Sequence, residues 1–175
     1  MLKKIIFPLV IISTIVFILI LSSQEFTYVG VGKCKICHKS EKRGKQSLIW
    51  EESKHSKSSV ALQSEKAKEV AQEQGVENPI ESPKCLKCHS PLFEKAPELK
   101  EEGVTCEVCH GPGSAYKKLS IMKSREESVK NGRTVCDTPE IKKELCLTCH
   151  ENAHQQTFNS EASWEKIKHP VPEKD

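Results

Sequence analysis

Methionine is almost absent from this chain. One of its two methionines is Met1, so Met122 alone is left for any chemical role. Aromatic residues are also scarce: two Trp, two Tyr and five Phe among 175 residues build only a thin side-chain core. No basic block is large enough for a nucleic-acid footprint, and a formal charge of +3 is too near balance to indicate a partner. No alternation of strand and helix patterns surrounds the cysteines, which argues against a thioredoxin-like site. Histidine numbers only seven, and that shortage proves to matter most.

What the chain does have is cysteine in a repeated pentapeptide. C-x-x-C-H occurs four times: Cys34, Cys37 and His38; Cys85, Cys88 and His89; Cys106, Cys109 and His110; Cys146, Cys149 and His150. In this pattern two thiols add across the vinyl groups of a haem and the adjacent histidine ligates its iron. Eight of the nine cysteines are thereby used, and Cys136 remains as an unpaired, partly buried thiol. Paired C-x-x-C units can also hold zinc. A Cys₄ zinc site does not require histidine after every pair, however, and an export leader precedes these motifs. The expectation is four covalently bound haem c groups. Their porphyrin faces supply the apolar surface that side chains do not, and the chain without haem is expected to be largely unfolded. Eight propionates would also make the assembled surface more acidic than the sequence suggests.

Lys3 and Lys4 precede an apolar run from Ile5 to Leu21, the order of a segment that directs export. Its length suits either a long signal core or a short membrane span. Ser22-Ser23-Gln24 offers small residues for cleavage but no A-x-A pattern. The reading is therefore a signal or anchor segment over 1–23, leaning towards a retained anchor, and a tetrahaem domain over 24–175. Haem attachment outside the bacterial cytoplasm agrees with a periplasmic or extracytoplasmic location, anchored or soluble after cleavage.

Residues 26–33 read as an extended lead-in to the first motif, with Gly30 and Gly32 permitting close approach. Residues 47–62 read as a helix carrying Trp50 and His55. A second helix runs over 64–74 from a Ser64 cap to a stop at Gly75. Leu99–Val108 is expected to become helical ahead of His110, with Gly111-Pro112-Gly113 ending it. Tyr116–Lys123 and Ser124–Asn131 suggest further helical pieces before Gly132. Asp137-Thr138-Pro139-Glu140 reads as a helix start with Asp137 as cap. Trp164–Lys168 reads as a last helix delivering His169. The fold class is mainly α: a small multihaem cytochrome, with helices and loops wrapped around four stacked haems.

Four irons take His38, His89, His110 and His150 as proximal ligands, leaving His55, His154 and His169. Three cannot fill four distal positions. At least one iron is therefore five-coordinate, takes a non-histidine ligand such as Met122 or Lys118, or borrows a ligand from another chain.

Several stretches together resemble the tetrahaem cytochrome c-554 family. They are Y-V-G-V-G-K-C-K-I-C-H at 28–38, W-E-E-S-K-H ending at His55, G-V-T-C-E-V-C-H-G-P-G-S-A-Y at 103–116, and the tail C-L-T-C-H…T-F…W-E-K-I-K-H-P at 146–170. The resemblance implies haems stacked in pairs, first with third and second with fourth. It implies His55 as the distal ligand of the fourth haem and His169 of the third. It also implies an open iron at the second haem, on His89, with Phe158 the nearest match to an aromatic residue near that face. One position departs: the family carries a histidine eight residues after the third motif's histidine, and here Lys118 stands there. The first haem, on His38, thus lacks its implied partner. Lys118 is the preferred candidate, with His154, a neighbouring subunit or an open site as alternatives; His154 could instead close the second haem.

The function expected is electron transfer between a membrane or enzyme donor and a terminal acceptor, through redox partner proteins and with no catalytic residue. The alternatives are a reductase of a small nitrogen oxide at an open iron, and a haem subunit of a larger complex or filament.

Overall fold

The computed structural model describes residues 25–171 except residues 152 and 156; the expected signal or anchor segment lies outside them. Short helices joined by turns make up the fold, and no strand occurs among the described residues. The helices are α1 (Val31–His38), α2 (Gln46–Glu52), α3 (Ser58–Ala61), α4 (Glu65–Glu73) and α5 (Pro83–His89). They continue with α6 (Cys106–His110), α7 (Leu119–Met122), α8 (Arg125–Lys130), α9 (Pro139–His150) and α10 (Ser160–Ile167). Single 3₁₀ turns lie at Glu41–Arg43, His55–Lys57 and Ala153–Gln155, and a longer one at Pro97–Glu102.

Helix boundaries follow local chemistry. Ser64 caps α4, its hydroxyl accepting from the Ala67 N–H at 3.2 Å, and Gly75 follows the helix at φ +65°. The single helix expected over 47–62 is instead broken at Ser53, whose backbone is extended. Ser56 there lies 2.9 Å from the carbonyls of both Glu51 and Ser53, so short polar side chains compete with the helical ladder. The run expected over 99–108 breaks at Gly103, at φ +73°, and α6 restarts after the Thr105 cap. The cap of α9 is Thr138, which accepts from the Ile141 N–H at 3.3 Å; Asp137 pairs with Arg125 instead. The lead-in is shorter than expected, because α1 begins at Val31 immediately after Gly30 at φ +78°.

The side-chain core is small, as the scarcity of aromatic residues implies. Among the described residues its apolar members are Val31, Leu62, Ala71, Leu86, Leu92, Ala96 and Tyr116. Helix α1 packs on α2 and α6, α5 packs on α3 and α9, and α9 packs on α10. The first motif is thereby set beside the third, and the second beside the fourth.

Candidate metal centres

Each C-x-x-C-H forms the last turn of a helix, and each motif histidine is that helix's final residue: α1, α5, α6 and α9. Residues three and four apart share one helix face, so each motif presents two thiols and an imidazole in the same direction. A single planar ligand can bridge such a trio. No group of three His, Cys, Asp or Glu side chains converges as a metal site among the described residues, and all nine cysteines are free. The thiols meet instead across motifs. Cys34 is close enough to Cys106, and Cys88 to Cys149, for the thiols to shift one another's proton affinity, and the Cys149 sulfur lies 3.9 Å from the Lys87 carbonyl. This donor set suits two-point attachment of a porphyrin better than tetrahedral zinc.

The histidines pair off. His55 and His150 have ring centroids 6.2 Å apart, His110 and His169 5.8 Å, and His89 and His154 6.2 Å. A metal–imidazole bond of about 2 Å, plus about 1 Å from ring nitrogen to ring centre, puts two rings that share one metal about 6 Å apart. All three pairs have that separation, and each joins one motif histidine to one histidine elsewhere. Burial lowers the affinity of His55, His150 and His169 for protons, and takes His110 down to about 4. These rings are neutral at pH 7, with a lone pair free to coordinate.

Two motif rings are held from behind. His89 donates through Nδ1 to the Ser58 carbonyl at 2.8 Å, and His38 donates through Nδ1 to Gln46 Oε1 at 3.2 Å. Both bonds leave Nε2 free and fix the ring plane, the usual office of a second partner behind a ligating histidine. The Ser58 hydroxyl lies 2.8 Å from the carbonyls of both His55 and His89 and accepts from the Val104 N–H at 3.0 Å. It thus ties the turn carrying His55 to the end of the second motif.

Glu107, inside the third motif, is the largest fully buried side chain of the described residues, at 2% exposure. Its carboxylate accepts from the backbone N–H groups of Val29 (3.0 Å), Gly30 (2.8 Å) and Gly113 (2.7 Å). Glu102 accepts from the Val31 N–H at 2.8 Å. These two carboxylates clamp the approach to the first motif against the third and against the loop that follows it. Trp50 adds a tie from α2, donating to the Val104 carbonyl at 2.8 Å.

Of the remaining candidates, Lys118 is exposed at the N-cap of α7. Phe158 stacks on His150, with centroids 4.4 Å apart and planes 8° from parallel. Cys136 is half-buried and near enough to Cys109 and Cys146 to raise the proton affinity of both. Glu107, Gln46 and Ser58 were not readable as site residues. Their roles depend on which backbone groups the fold brings to them, although Glu107 lies within a motif.

Residues 33–111, which span the first three motifs, match the family described as cytochrome c554 and c-prime. A curated relative, cytochrome c-554 of Nitrosomonas europaea, is 26% identical over 147 residues, covering 74% of this chain and 60% of its own length. The aligned part of the chain thus spans less than two thirds of that relative. No solved structure matches.

Proposed function

We propose that the chain is a c-type cytochrome of the cytochrome c-554 family, carrying four haems as a single extracytoplasmic electron relay. Cys34/Cys37, Cys85/Cys88, Cys106/Cys109 and Cys146/Cys149 attach them, and His38, His89, His110 and His150 bind the four irons. His55 completes the iron of His150, and His169 that of His110. Haem supplies the one-electron chemistry, and the protein sets its potential through ligands, burial and nearby charge.

The observation that most supports a relay is the separation of the histidine pairs, 5.8 to 6.2 Å between ring centroids. Two imidazoles on one iron leave no coordination position for a substrate, which suits passing electrons rather than transforming a molecule. Packing of α1 on α6 and of α5 on α9 favours two adjacent haem pairs, first with third and second with fourth. The segment 1–23 acts as export signal or anchor for the tetrahaem domain 24–175, and donor and acceptor are redox proteins outside the cytoplasm. The test is intact mass and haem content of the exported protein, followed by a spectroelectrochemical titration. Four covalent haems that all reduce and reoxidise reversibly are expected. Fewer haems, or haems inert to electrode and mediators, would refute the relay.

A further inference from the structure

We infer that the iron held by His38 is the one with an exchangeable sixth position, open to small neutral or anionic ligands, and that His154 closes the iron held by His89. The inference rests on the tetrahaem reading above and adds to it which iron can take an external ligand.

Seven histidines are present, and all lie among the described residues. Six form the three ring pairs His55–His150, His110–His169 and His89–His154. His38 is the seventh, and it belongs to none of the three pairs. The resemblance implied the reverse arrangement, with the open iron at the second motif, so the exchange turns on His154. Two features bring that residue to His89. Helix α9 packs on α5, with the Cys149 sulfur 3.9 Å from the Lys87 carbonyl, so the end of the fourth motif lies beside the second. His154 follows four residues after His150 with its backbone left-handed, at φ +51° and ψ +32°, one of two non-glycine residues so placed among those described. The turn that α9 ends on thereby sets an imidazole at 6.2 Å from His89.

The other conceivable protein ligands sit elsewhere. Cys136 is grouped with Cys109 and Cys146, Phe158 lies on His150, and Met122 belongs to α7, which packs on α8. Lys118 is exposed ahead of Met122. His38 itself is oriented by Gln46 and lies near enough to His110 and His169 to lower the proton affinity of both, but it forms no ring pair of its own. An iron in that condition binds carbon monoxide when ferrous and small anions such as cyanide when ferric.

The experiment is a carbon monoxide titration of the dithionite-reduced, haem-loaded full chain, followed by its Soret spectrum, for wild type, His154→Ala and Lys118→Ala. Wild type is expected to bind one equivalent, His154→Ala two, and Lys118→Ala one. Zero equivalents in wild type would overturn the inference, and a gain in Lys118→Ala would then identify the lysine as ligand. One equivalent in both wild type and His154→Ala would also overturn it, because the open iron would be the one on His89. Two equivalents in wild type would show that His154 closes nothing. Haem content measured on the same samples separates these outcomes from failure of the tetrahaem reading.

Discussion

His38 donates a hydrogen bond to the side-chain carbonyl of Gln46, and the amide nitrogen of the same Gln46 donates to the Pro170 carbonyl at 3.0 Å. One glutamine thus joins the first motif's ring to the residue after His169, which pairs with His110 in the third. An acceptor behind Nδ1 makes the imidazole a stronger donor to iron and favours the ferric state. Gln46→Leu is therefore expected to raise the potential of one haem in a spectroelectrochemical titration, leaving those on His89 and His150 unmoved. An unchanged titration would remove Gln46 from any tuning role.

Glu107 is the buried anchor between the first and third motifs. Its replacement by alanine leaves three backbone N–H groups without an acceptor in a dry setting. Unsatisfied buried groups cost about 1–3 kcal/mol each, so the loss is about 3 kcal/mol or more. Glu107→Ala is expected to lower the urea midpoint sharply and to reduce the yield of haem-loaded protein. Glu107→Gln, which keeps an acceptor, should fall between it and wild type. Equal midpoints for alanine and wild type would contradict the clamp.

Gly111 ends the third motif at φ +76° and ψ +177°, a region essentially reserved for glycine. A Cβ there would sit 2.5 Å from the Gly132 carbonyl oxygen and 2.6 Å from Thr134 Oγ1. The Thr134 N–H donates to the His110 carbonyl at 2.9 Å, so the clash falls on the strut beneath the ligand. Gly111→Ala is expected to cost about 2 kcal/mol or more in thermal or urea unfolding. Gly75→Ala makes the control for the clash alone: its φ of +65° also strains an alanine, but a Cβ there meets nothing within 4 Å, so it should cost less than Gly111→Ala.

Removing one ring from a pair should create one new open iron. His55→Ala and His169→Ala are each expected to add one high-spin ferric centre in the electron paramagnetic resonance spectrum, and their effects should add in the double variant. Unchanged low-spin intensity in either variant would show that its ring is not a ligand.

The shape of each motif was legible in the sequence, because C-x-x-C-H places two thiols and an imidazole on one helical turn. The resemblance implied the partners of His110 and His150, and the fold brings those rings together. Helix content was legible too, and the capping of α4 by Ser64 was read correctly. The break at Ser53 was not, since Ser53, Ser56 and Ser58 bond to nearby backbone carbonyls in a way that helical periodicity does not register. The pairing of His154 with His89 stood in the sequence only as an alternative, because it depends on α9 packing on α5 and on a left-handed residue that no motif marks. The clamp by Glu107 stayed hidden for a similar reason: its three donors come from two segments that approach only in the folded chain.

The central claim is that three irons are each shared by two histidines and that the iron of His38 is not. Near-infrared magnetic circular dichroism of the fully oxidised protein tests it most directly, because the energy of the ligand-to-iron charge-transfer band identifies the axial pair. Bis-histidine intensity equal to three haems per chain, with the fourth haem outside that band, is the predicted result. Intensity equal to four haems, or to two or fewer, would contradict it.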